Sequence, residues 1–166
     1  METKQLGGSS PDTAQISANE LFSAMEELLA QGRQAAFVVT GMSMWPLLCH
    51  GRDRVVVEQC DPAALCKGDI VLLQTPLGNY LLHRITKIQG DLIQTTGDGN
   101  CFRDGFFPRS CVKARVAQVV RRGKVIPCSA FRWRLVFALW MRLYPFRGAL
   151  LSLLRRISGK RAHANP

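Results

Sequence analysis

The sequence predicts a mainly β fold: a small curled or partly closed antiparallel sheet with one N-terminal helix and C-terminal amphipathic helices. Three observations lead there. Apolar runs rich in β-branched residues recur from Ala36 to Pro127, separated by short turns that carry Gly, Pro, Asn or Asp. Few helical patterns interrupt them, so the strands pair as antiparallel neighbours rather than through helical crossovers. And 166 residues, 47% of them hydrophobic, suffice for one buried core plus chain ends.

Taken in order, residues 1–15 are polar and include Gly7-Gly8-Ser9-Ser10-Pro11. Nothing apolar there repays the entropy of ordering, so this lead is expected to be disordered. It has neither the basic-then-apolar layout of a secretory signal nor the length of a spanning helix, and no N-terminal anchor is expected. From Ser17 to Gln31, Leu21, Phe22, Met25, Leu28 and Leu29 recur at steps of three and four, and Gly32 stops the pattern. That is one amphipathic helix packed on the body.

The body spans residues 16–128. Ala36 to Thr40 is an apolar strand that breaks at Gly41-Met42-Ser43-Met44-Trp45-Pro46. Arg54–Glu58 and Gly68–Gln74 follow as strands, with a loop around Asp61-Pro62 between them. Pro76 to Asn79 turns the chain into Tyr80–Gln89, and Gly90-Asp91 turns it again into Leu92–Thr96. Val112–Arg121 and Lys124–Pro127 straddle Arg122-Gly123 as a further hairpin.

Residues 129–158 change character, with apolar runs Leu135–Met141 and Gly148–Leu154 broken by Arg142, Pro145 and Arg147. Neither run approaches the ~20 residues that a spanning helix requires. Arginines flank both, and Trp133, Trp140 and Tyr144 lie among them, which is the pattern of a helix pair lying in a membrane interface. The competing reading is a helix pair that covers the sheet and leaves its arginines exposed. Residues 159–166 read as a disordered tail.

Charge follows the same division. Residues 1–104 carry 8 Lys/Arg against 12 Asp/Glu, whereas residues 105–166 carry 14 Lys/Arg and no acid, which together give the formal net charge of +10. A basic end of this kind meets phosphates of lipid or of nucleic acid. The density of Leu and aromatic residues disfavours nucleic acid and favours a peripheral, membrane-associated protein held through residues 130–157. The six cysteines form no C-x-x-C pair and no regular spacing with histidine, so no zinc site and no cofactor are expected. They read as reduced thiols, several of them buried.

The candidate chemistry rests on Ser43 at the Gly-to-Pro break. A lone hydroxyl is a poor nucleophile, so it needs a base and an oxyanion site within reach. His83, in Leu81-Leu82-His83-Arg84-Ile85, is the candidate base, and the loop Gly97-Asp98-Gly99-Asn100-Cys101-Phe102-Arg103-Asp104 offers an acid. Each motif alone is weak; their combination and order are more specific. His50 and His163 have no partner in sequence and receive no role.

In Gly41 to Pro46, Gly51 to Val57, Gly68 to Val71, His83 to Ile85 and Gly97 to Asn100, the chain resembles the signal peptidase clan of serine peptidases, which also includes the self-cleaving SOS repressors. The likeness covers about residues 35–120. Many members use a lysine as base; with His83 in that place the chain resembles the branch typified by endoplasmic-reticulum and archaeal signal peptidases. The resemblance implies a signal-peptidase-like β fold and a serine endopeptidase. Ser43 would be the nucleophile, His83 the general base, and Asp104 the acid that orients the imidazole. Asp98 is the alternative acid, or an Asx-turn residue.

The substrate implied is an extended leader- or signal-type peptide of a precursor protein, with small side chains at the scissile bond, added as a strand at a sheet edge. An imidazole base of ordinary pKa, ~6.5, is competent at neutral pH and fails on acidification. Three departures from the pattern stand out. Gly41 replaces the hydroxyl residue two before the nucleophile, leaving the oxyanion to backbone N–H groups with Thr40 as a helper. Arg52 is inserted into the usual Gly-Asp turn, and the greasy segment is C-terminal. Two other functions compete: a non-catalytic peptide-binding module of the same fold, and a self-cleaving repressor-like regulator. The latter is disfavoured because only one helix precedes the first strand, too little for a helix-turn-helix reader.

Overall fold

The computed structural model describes residues 18–162. The lead 1–15 and the end of the tail lie outside them. Helix α1 (Ala18–Ala30) stops at Gly32 as the pattern requires, and its Met25 and Leu29 are buried in the core. Each such side chain contributes about 1.5–3 kcal/mol on leaving water. Phe22 stacks on Tyr80 at 4.4 Å and meets Phe37 edge-on at 5.8 Å, while Glu26 accepts a hydrogen bond from the Tyr80 hydroxyl.

Eight strands form one open sheet. They are β1 (Ala35–Val38), β2 (Asp53–Glu58), β3 (Ile70–Gln74), β4 (Tyr80–Gln89), β5 (Leu92–Thr96), β6 (Phe106–Pro108), β7 (Val112–Arg121) and β8 (Lys124–Pro127). The order is β1-β2-β7-β3-β4-β5-β6, and every pairing is antiparallel. The ten-residue β7 is shared on one side, pairing with β3 over its first half and with β8 over its second. Arg122 and Gly123, both with positive φ, turn the β7–β8 hairpin as expected for a two-residue loop. β6 has no counterpart in the sequence reading, because three residues ending in Pro are too short to carry a period.

The sheet separates two hydrophobic clusters. Val55, Val57, Ile70, Leu72, Ala114, Val116 and Val119 join α1 in the first; Leu65, Val71, Leu73, Ile85 and Ile93 form the second. Alternation along β4 follows: Tyr80 and Leu82 pack on the first cluster, Leu81 and Ile85 in the second. His83 and Arg84 therefore emerge on opposite sides of the same strand. The cysteines depart from expectation. All six are free, but four are half-buried and two, Cys66 and Cys101, are exposed. Burial pushes the Cys128 thiol up to about 11, so it stays protonated and inert.

The C-terminal segment forms α2 (Phe131–Arg142), a 3₁₀ turn at Tyr144–Phe146, and α3 (Arg147–Ala162). Among the described residues, no helix is long and apolar enough to cross a membrane. One face of the pair packs on the body through Phe137, Trp140 and Leu151. Trp133 stacks on Phe137 at 5.0 Å.

Candidate active site

Ser43 lies beyond the end of β1 in a run of turns between Gly41 and Leu48. The chain is pinned there by its neighbours: Met44 and Leu48 are buried in the first cluster, while Met42 is exposed. Leu48 N–H donates to Met44 O at 2.8 Å, and Gly51 N–H returns to Val39 O at 3.0 Å. Burying Met44 leaves Ser43 half-exposed beside it. The Trp45–Pro46 peptide is cis.

The turn is closed from below by Asp53, which the Arg52 insertion serves rather than disrupts. The Asp53 carboxylate is buried and accepts from Arg52 (2.8 and 3.0 Å), from Arg121 (2.9 and 3.0 Å) and from the Cys49 N–H (2.8 Å). Burial pushes its pKa up, but the hydrogen bonds from Arg52, Arg121 and Cys49 outweigh burial and hold the carboxyl well below the usual carboxylate range. His50, without a role in sequence, accepts the Gly41 N–H on Nδ1 at 3.1 Å and so shapes the approach to the serine.

The loop after β5 meets this turn by backbone packing. Gly99 N–H donates to Ser43 O at 2.7 Å. A Cβ at Gly99 would sit 2.6 Å from Met42 O and 2.7 Å from Trp45 O. One at Gly97 would sit 2.4 Å from Ser43 O, 2.8 Å from Asn100 Nδ2 and 3.0 Å from His83 Nε2. Only glycine fits either place. The Gly97 position also shows that the Ser43 turn and the His83 ring converge on one point, with Nε2 on the serine side.

The other ring nitrogen faces an acid. His83 Nδ1 lies 2.6 Å from Asp104 Oδ2, with both side chains more than nine-tenths buried. The same oxygen accepts from Thr95 Oγ1 at 2.7 Å, and Asp104 N–H donates to Thr95 O at 3.0 Å. Thr95 is a residue that the sequence reading missed; its place on β5, one residue from the Arg84–Thr96 pairing, puts it beside His83. A carboxylate can only accept, so the contact is made through the Nδ1 N–H and turns Nε2 toward the serine. Among the described residues, no hydrogen bond joins Nε2 to Ser43 Oγ.

No protein-family model, curated protein or solved structure matches this chain.

Asp98 goes elsewhere. Its carboxylate takes two bonds from Arg84, at 2.9 and 2.6 Å, and both side chains are 1% exposed. The Asx-turn role expected of it gives way to a buried ion pair. Arg84 also donates to Gly68 O at 2.8 Å and stacks on Phe137 at 3.8 Å, so its charge is enclosed on every side. The C-terminal helices grip the same loop. Trp140 Nε1 donates to Asp98 O at 3.2 Å, Tyr144 Oη to Cys101 O at 3.2 Å, and Arg147 Nη1 to Gly97 O and Asn100 O at 3.3 and 3.4 Å. Burial lowers the pKa of Arg147, while the Asp98 charge opposes the shift.

A cleft of about 630 Å³ opens between α2 and the sheet, floored in part by Ile70, Val116, Phe137 and Met141. It contains none of Ser43, His83 and Asp104. Among the described residues, no cluster of His, Cys, Asp or Glu suited to a metal ion is present.

Proposed function

We propose that the chain is a serine-type endopeptidase that cuts a leader- or signal-type peptide, with Ser43 as nucleophile, His83 as general base and Asp104 as the group that orients the ring. The observation that carries this reading is the imidazole held between a carboxylate at Nδ1 and the serine turn at Nε2. Ser43 Oγ attacks the scissile carbonyl carbon while Nε2 takes the hydroxyl proton. The C–N bond then breaks, and the imidazolium returns that proton to the leaving amine. Water attacks the resulting ester as Nε2 takes one of its protons; the ester C–O bond then breaks, the imidazolium returns that proton to Ser43 Oγ, and the peptide leaves with its new carboxyl terminus.

Asp104 steadies the imidazolium at each stage. Gly41 N–H is committed to His50, so the oxyanion would be met by the N–H of Ser43 itself. The step still required is closure of Ser43 Oγ onto Nε2, a contact that commonly tightens only when substrate binds.

The test is cleavage of a peptide library with small residues at varied positions, read by mass spectrometry. Replacing Ser43 with Ala is expected to abolish cutting while circular dichroism stays that of the parent; a variant that still cuts would overturn the assignment. The missing Ser43–His83 hydrogen bond is the one observation that favours a second reading, a peptide-binding module without turnover. Peptide bound but left intact by the parent protein would select it.

A further inference from the structure

Many side chains of the C-terminal helices are exposed, and their composition is uneven. On α2, Phe131, Leu135 and Leu139 are spaced by four and are 79, 59 and 57% exposed. From the last residue of the 3₁₀ turn onward, Phe146, Leu153 and Ile157 repeat at helical spacing and are 69, 54 and 45% exposed. Exposed Arg132, Arg134, Arg142, Arg155 and Arg156 border these stripes, and no acidic residue occurs anywhere after Asp104.

We infer that this outer face docks on an anionic lipid surface, seating the two stripes among the acyl chains while the arginines meet the phosphates. The chemistry selects this occupant. Six large apolar side chains have no use on a surface that tracks nucleic-acid phosphates, and pairing two copies of the face would bring arginines against arginines. A bilayer interface takes both at once: an in-plane helix buries its apolar side at the headgroup boundary and leaves its cations among anionic headgroups.

The inner face of the same helices gives the docking a consequence. Trp140, Tyr144 and Arg147 hold the carbonyls of the loop that runs from Gly97 to Asp104. The candidate active site is thus fixed at a short, constant height above the lipid, which suits a substrate whose cleavage point lies close to the membrane. That consequence rests on the peptidase reading; the docking itself does not.

The experiment is sedimentation of the full chain with vesicles of phosphatidylcholine alone and with about 30% phosphatidylglycerol, alongside a Leu135→Glu/Leu139→Glu double variant. Both leucines are exposed, so the variant keeps the fold, which tryptophan fluorescence verifies. The parent is expected to sediment with the anionic vesicles and not with the neutral ones, and the variant to bind at least about tenfold more weakly. No sedimentation of the parent, or equal binding by the variant, overturns the inference. A parent that ignores vesicles but runs as a dimer, made monomeric by the two glutamates, would assign the face to self-association instead. In parallel, both proteins are expected to cut a soluble peptide at equal rates. Failure of both to cut would count against the peptidase reading and leave the sedimentation result standing.

Discussion

The two ends of one loop use the same side chain in opposite ways. Asp98, at its start, is sealed against Arg84 with both groups 1% exposed; Asp104, at its end, accepts from an imidazole and a threonine hydroxyl. A carboxylate bound to a permanent cation in a closed space can only hold the chain in place. One that faces a titratable ring can steer a proton. The start of the loop is therefore a foundation, its end is the working part that the proposed peptidase would need, and substitutions separate the two.

The largest effect is expected at Asp104. With asparagine there, the amide can stabilise the wrong imidazole tautomer, and cleavage should fall by about four orders of magnitude while folding stability changes by about 1 kcal/mol or less. Steady-state rates and urea denaturation read the two quantities; a large stability loss would dissolve the contrast. At Asp98 the balance reverses. Replacement by Asn leaves a buried guanidinium without its counter-charge, and the expected loss is about 3–5 kcal/mol in urea denaturation, with the protein that remains folded still cutting. A loss under about 1 kcal/mol would mean that solvent reaches the pair.

Asp53 supplies an intermediate case, a buried carboxylate whose two arginines are partly exposed. Its replacement by Asn should cost about 2 kcal/mol at neutral pH. Because the folded pKa is depressed, the contribution is complete above the unfolded value of ~3.9 and is lost as pH falls toward the folded one. The stability gap between parent and Asp53→Asn should therefore narrow below about pH 4. A gap that is constant down to about pH 2.5 would show that the charge of Asp53 contributes nothing.

Much of the sheet was legible because its strands announce themselves by β-branched runs and its turns by Gly, Pro and Asn. The positions of Ser43, His83 and Asp104 were legible through motif order. Their supports were not. Arg84 follows His83 directly, and only the alternation of β4 reveals that its charge points into the first cluster, toward an acid that looked like a turn residue. Thr95 carries no signal until β5 is paired. Gly97 and Gly99 read as turn glycines, yet what they supply is room for another backbone. The C-terminal helices have two faces, and a pattern of Trp, Leu and Arg does not say which aromatic rings turn inward to the loop.

Placing His83 and Arg84 side by side on β4 ties chemistry to alignment. The pairings of His83 with Val71 and of Arg84 with Thr96 are what send the ring to one side and the guanidinium to the other. Were the strand to slide by a single position, each would take the other's direction, burying an imidazole where Asp98 waits and thrusting a fixed cation at the serine. A misaligned molecule would thus lose the His83–Asp104 contact and its Arg84–Asp98 keystone in one stroke, so any population that folds stably has, by the same act, aimed its imidazole.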